Sequence, residues 1–154
     1  MATLSVTEFG VTAQDRPKGE EITLAEWRAG VRPEAGRFAL FIPNTEDVEP
    51  LADAIARFDA VILEFPDFKD GRAYSQARVL RERLGFTGEI RARGEVLCDQ
   101  ALFMVRAGFT ALEIGERDVA SFEKALVAYS SFYQPAADGA VPIHRLRAGK
   151  RAAA

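Results

Sequence analysis

The apolar positions fall into short runs, each followed by a stretch of helical periodicity. Phe38–Ile42 is continuously apolar between Gly36 and Pro43 and reads as a buried strand. Asn44-Thr45-Glu46-Asp47 then supplies caps and acidic first-turn residues for a helix to about Phe58, with Val48, Leu51, Ala52, Ile55 and Phe58 on one face. Ala60–Phe65 is a second apolar run, closed by Pro66, and Asp70 caps a helix over about Ala73–Leu84. Ala73, Ala77, Leu80 and Leu84 line its inner face, and Gly85 ends it. Gly88–Arg93 alternates and reads as a third strand, with a helix over about Glu95–Ala107 behind it, ended by Gly108. Phe109–Ile114 is the fourth strand, and Val119–Phe132 the last helix, with Phe122, Leu126 and Tyr129 on its face.

The flanks are less regular. Residues 1–21 read as an irregular lead-in with extended structure around Leu4–Phe9, and Asp15–Glu21 as a polar loop. Thr23-Leu24-Ala25-Glu26 is a capping-box pattern that starts a short helix carrying Trp27, stopped by Pro33 and Gly36. Residues 22–134 form one α/β domain on this reading. Residues 135–154 are rich in Ala, Gly and Pro, end in a basic stretch, and are expected to be disordered.

Four strand–helix units in succession predict parallel strands joined by right-handed crossovers. Side chains alternate along a strand, so Ile62 and Glu64 share a face, as do Glu89, Arg91 and Arg93. Glu113 likewise lies opposite Leu112 and Ile114. A sheet covered by helices on both faces would be apolar throughout. Charges on one face, near the C-terminal strand ends, fit a half-barrel-like or open curved (βα)4 sheet better than a flavodoxin-like three-layer sandwich. A half-barrel leaves strand edges open, so these are expected to be either paired in a homodimer or covered. The competing reading is that Glu64, Arg91 and Glu113 pair with one another as a buried charge cluster.

Composition narrows the classes. The chain has 154 residues, 48% of them hydrophobic, which is enough for one real core. A net charge of -3 argues against nucleic acid as the partner. No apolar run approaches a membrane span, and the N-terminus lacks the pattern of a signal peptide, so the expected location is the cytoplasm. One cysteine, Cys98, and one histidine, His144, exclude a disulfide, a CxxC pair and a four-thiolate cluster from this chain. Cys98 sits in an apolar helical pattern and His144 in the tail, so a Cys–His pair is the weaker reading.

Candidate chemistry concentrates between Glu64 and Gln100. The loop Asp67-Phe68-Lys69-Asp70-Gly71-Arg72 follows a strand end and opens a helix, where parallel α/β proteins bind ligands. Helix amides and a planar guanidinium suit an oxyanion. Asp70, Arg72, Tyr74, Ser75, Arg78, Arg91 and Arg93 are therefore the candidate anion-binding residues, and Glu64 and Asp67 the candidate acid/base groups. The bland alternative is that Asp70 is a cap, Arg72 pairs with a nearby Asp, and the helix arginines 72, 78, 81 and 83 are solvated. Glu64, Asp67 and Asp70 also raise Mg²⁺ as a weaker option. No nucleotide-binding glycine motif is present. A flavin stays open without any residue calling for it, and no metal site is assigned.

The residues Phe65-Pro66, Phe68, Asp70-Gly71-Arg72, Tyr74-Ser75, Leu80-Arg81, Gly85, Gly88-Glu89, Arg91-Ala92, Gly94, Val96-Leu97, Asp99-Gln100, Arg106 and Gly108-Phe109 resemble a bacterial family, domain of unknown function nine-three-four. The resemblance extends over about Ile22–Gln134. Its members carry a label of oxidoreductases involved in sulfite reduction, which rests on genes beside sulfite reductase rather than on chemistry. The resemblance implies an accessory protein of assimilatory sulfur metabolism, with sulfite reductase as a partner, and the Arg-bearing strand ends add a small anion as the expected ligand. Six-electron reduction needs metal or flavin centres, and the chain has no ligand set for a cluster or haem. A small enzyme on an anionic metabolite and a flavin-dependent electron carrier are the alternatives.

Overall fold

The computed structural model describes residues 2–7, 10–14, 20–33, 38–115 and 119–152. Seven strands form one sheet: β1 (Ala2–Thr7), β2 (Gly10–Gln14), β3 (Glu20–Thr23), β4 (Phe38–Ile42), β5 (Ala60–Phe65), β6 (Glu89–Gly94) and β7 (Ala111–Gly115). Their spatial order is β2-β1-β7-β6-β5-β4-β3. Strands β3 to β7 are parallel, and β1 joins β7 antiparallel with β2 as its hairpin partner. The parallel strands lie side by side in chain order, with no reversal. That order makes the protein α/β and sets aside the flavodoxin-like sandwich, whose strand order turns back on itself.

One sheet face is apolar, as strand alternation requires. Leu40, Ile42, Val61, Leu63, Phe65, Ile90, Ala92 and Leu112 all join the main core. Helices α2 (Arg72–Arg78), α3 (Ala101–Ala107) and α4 (Val119–Leu126) cover it through Ala73, Ala77, Met104 and Phe122. Among the described residues, the opposite face carries a small apolar cluster, Ala39, Ala60 and Ile62 with Phe41, to which no described helix contributes.

Several elements differ from the sequence expectation, each for a local reason. The stretch expected as a helix to Phe58 is two 3-10 turns, Glu49–Leu51 and Ile55–Arg57. Pro50 removes a donor, and the Asp47 carboxylate accepts the Glu49 amide (3.0 Å), closing a local turn instead. Three of the four predicted strands, β5, β6 and β7, are thus followed by an α-helix. After β6 the chain stays extended at Leu97 and becomes helical only from Cys98. α2 runs on into a π turn over Val79–Arg83.

At the N-terminal side, the predicted loop Asp15–Glu21 falls partly on residues 15–19, outside the described residues, and its last two residues are strand β3. The stop at Gly36 and the Phe9 end of the first extended stretch also lie outside them. The capping box is present: the Thr23 amide donates to Glu26 (2.8 Å), the Glu26 amide donates to the Thr23 hydroxyl (3.2 Å), and α1 (Leu24–Arg28) follows. Part of the stretch expected to be disordered, residues 137 and 138, lies against α3. The Ala137 amide donates to the Arg106 carbonyl (3.0 Å), Arg106 pairs with Asp138 (3.0 Å), and helix α5 spans Ile143–Ala152.

Candidate functional site

Register decides which charges meet. On the helix-free face, Arg91 is the sheet neighbour of Ile62 and Ala111, and Arg93 that of Glu64. Thr3 of β1 pairs with Glu113 in register. Arg91 donates to Glu89 (2.6 Å from Nη2) and reaches Glu113 at 3.4 Å. Arg93 donates from Nε and Nη2 to the two Glu113 oxygens, at 2.8 and 2.9 Å. Its other edge, Nη1 and Nη2, donates to the two oxygens of Glu21, at 2.5 and 3.0 Å. Its guanidinium lies 5.7 Å from the centre of the Phe41 ring.

Glu21 is on β3 and Arg93 on β6, three strand spacings apart, so this pair reaches across β4 and β5 through the combined length of a glutamate and an arginine side chain. Glu113 is only 5% exposed at the centre of the network, although no described helix covers it.

The electrostatics follow from burial and pairing. Burial pushes the Glu113 carboxyl up, but Arg93 and then Arg91 more than reverse this and hold it below the ordinary carboxylate range. The Glu113 and Glu21 carboxylates together raise Arg93 further above its already high value. Two arginines thus face three carboxylates: Glu89, Glu113 and Glu21.

Beside this network, at the C-terminal strand ends, lies an open cleft of about 420 Å³. It is lined by Glu21, Thr23, Phe41, Glu64, Phe65, Pro66, Arg93, Gly94 and Glu95. Gly94 shapes its floor. With φ at +105°, it brings its Cα so close to β5 that a Cβ would stand 2.3 Å from the Phe65 carbonyl oxygen. That approach lets the Glu95 amide donate to the same oxygen (2.8 Å). The Glu95 carboxylate accepts the Phe68 amide (3.2 Å), and Gln100 donates to the Phe68 carbonyl (3.0 Å), so the loop after β5 is tied to the loop after β6.

The sequence-predicted residues separate into two groups. Glu64 and Arg93 line the cleft, with Arg91 joined to Arg93 through Glu113. Among the described residues, Glu64 has no hydrogen-bond or ion-pair partner, so it does not join Arg91 and Glu113 in a closed cluster. The remainder stand elsewhere. Asp67 accepts the Lys69 amide (2.8 Å) within its own turn. Asp70 holds Arg72 through Nε and Nη2, at 3.0 and 2.6 Å, and that hydrogen-bonded guanidinium keeps its carboxyl far below the usual range. Tyr74 packs edge-on against Phe65 (5.2 Å), and burial raises its phenol. Ser75 is exposed, and Arg78 pairs with Glu82 one helical turn on. Among the described residues, no contact joins Arg72 or Arg78 to Arg91 or Arg93.

The same holds for a metal: among the described residues no three acidic, His or Cys side chains are placed to hold one. No helix of the described residues is long and apolar enough to cross a membrane.

Sequence reasoning missed Glu21, Thr23, Phe41 and Glu95 as lining residues. Glu21 stood in an expected loop. Phe41 alternates with Leu40 and Ile42, and that alternation was a usable signal for its place on the charged face.

The pattern of a family described as "Bacterial protein of unknown function (DUF934)" matches residues 39–144. The match begins later than the resemblance read from the sequence and runs further, into the first residues of α5. Neither the curated proteins nor the solved structures include a match to the chain.

Proposed function

We propose a role for a protein that belongs to this bacterial family of unknown function: an accessory component of assimilatory sulfite reduction that binds a small ligand in the cleft at the ends of β5 and β6. The ligand's oxyanion sits on the outer edge of Arg93. The sulfur context comes from the resemblance to relatives carrying a sulfite-reduction label.

One observation supports the ligand site. Arg93 has two edges with different surroundings. The inner edge is clasped by Glu113, which is 5% exposed, and the outer edge by Glu21, whose side chain is 28% exposed and borders the cleft. Displacing Glu113 would leave a buried carboxylate with only the 3.4 Å contact to Arg91, which costs several kcal/mol, whereas Glu21 can turn to water at little cost. A ligand oxyanion therefore exchanges with Glu21. Glu113 and Arg91 position the guanidinium and do not contact the ligand.

The test is genetic and chemical. A strain lacking the protein should grow poorly and accumulate sulfite when sulfate is the sole sulfur source, and grow normally with cysteine. The wild-type gene should restore it and Arg93→Gln should not. A deletion strain without any sulfur phenotype contradicts the role. A second reading, a small enzyme, is favoured by Glu64 alone: a carboxylate with no partner among the described residues, beside the held oxyanion, suits acid/base work. Asp67, engaged in its turn, is not.

A further inference from the structure

The charge balance of the cleft restricts which ligand Arg93 can take. We infer that the ligand is a zwitterion of α-amino-acid type, with its carboxylate replacing that of Glu21 on Arg93 and its ammonium donating to Glu64. This rests on the Arg93 site proposed above and names the ligand class for it.

Three observations carry it. First, the group that now occupies the outer edge of Arg93 is itself a carboxylate, held by both oxygens at 2.5 and 3.0 Å. A ligand with the same two-oxygen head makes the same clasp, and bidentate geometry is what a guanidinium selects. Second, Arg93 is the one cation among the described lining residues, against Glu21, Glu64 and Glu95. Its inner edge is already matched by Glu113. A bare oxyanion would add charge to a site that is negative without it, while a zwitterion adds none. Third, Glu64 is the sheet neighbour of Arg93, about 4.8 Å away backbone to backbone, on the same face and without a partner among the described residues. A carboxylate there calls for a donor close to the oxyanion, and an α-ammonium is separated from its carboxylate by a single carbon. Phe41 forms an apolar wall next to this pair, with room for a small side chain.

The test uses the full chain and measures binding by thermal shift and calorimetry. The probes are glycine, L-serine and L-cysteine as zwitterions, with acetate and sulfite as oxyanions lacking an ammonium. At least one amino acid should bind saturably and about tenfold or more tighter than acetate or sulfite. Glu64→Gln should remove that preference, bringing amino acids and acetate within about twofold. Glu21→Gln should tighten amino-acid binding several-fold, because a competing internal carboxylate is gone. Arg93→Gln should bind none, with its unfolding transition confirming a folded chain.

If acetate or sulfite binds wild type as tightly as every amino acid, or if Glu64→Gln keeps the preference, the zwitterion is wrong while the oxyanion site on Arg93 stands. If no probe binds either wild type or Glu21→Gln, or if Arg93→Gln binds as wild type does, the Arg93 site itself is wrong.

Discussion

Arg81 shows how far a single side chain can depart from its sequence neighbourhood. It belongs to a run of helix arginines that reads as a solvated surface. In the fold it donates to three main-chain carbonyls: Gly108 (2.9 Å), Phe86 (2.6 Å) and Gly88 (2.7 Å). It thereby ties the C-terminal end of α2 to the end of α3 and to the lead-in of β6. Periodicity could not reveal this, because the partners are backbone groups supplied by two turns. Arg81→Ala should destabilise by about 2–3 kcal/mol, from acceptors left without donors. Arg81→Lys should recover only part, since one ammonium cannot span three carbonyls. Urea unfolding with an unchanged slope measures both. Glu113 is the converse case: its place on a charged face was legible from strand alternation, but its two arginine partners depend on β6–β7 register. Removing it by Glu113→Ala should cost roughly 3–5 kcal/mol, as for one half of a buried ion pair.

Among the elements, the strands with apolar runs were legible because burial of a parallel strand leaves little choice of residue. β3 was not. Glu20-Glu21-Ile22-Thr23 has one buried residue, Ile22, and its strand character comes from pairing with β4 rather than from its own composition. That omission hid Glu21 from the candidate site. The expected helix before β5 failed for a related reason: Val48, Leu51, Ile55 and Phe58 are buried as expected, but their spacing serves 3-10 turns as well as an α-helix. Local signals at element ends did better. Thr23 caps α1 as read, and Thr23→Ala should lower stability by about 1 kcal/mol in thermal or urea unfolding. Gly94 ends β6 where only glycine fits. Gly94→Ala should cost at least about 2 kcal/mol, from a strained backbone and a clash with the Phe65 carbonyl, and should weaken ligand binding in the same protein.

Across the whole molecule, a sheet wound in chain order leaves the described helices of the core on one face and a charged face on the other. The candidate site follows from that asymmetry: Arg91, Arg93, Glu64 and Glu113 could be grouped on one face from sequence, whereas Arg72 and Arg78 could not be separated from them until α2 was seen to lie outside the network. Two paired carboxylates, one on this face and one at the start of α2, set the response to acid. Glu113 and Asp70 both have carboxyls lowered in the folded state, by Arg93 with Arg91 and by Arg72 respectively. Their stabilisation is fully present above the unfolded carboxylate range, about pH 4, and is lost as pH falls through the lower folded values. Unfolding free energy should therefore hold steady from pH 7 to about 5 and fall steeply below about 4. Glu113→Gln should lower the plateau and flatten the acid limb.

In the proposed site, the outer edge of Arg93 receives the ligand. The arginine side-chain resonances of ¹⁵N-labelled protein, followed while L-serine or L-cysteine is added, test it most directly. The Arg93 signals should move and saturate with the calorimetric affinity, while those of Arg72 and Arg78 stay in place. Saturable binding that leaves Arg93 unmoved would contradict it.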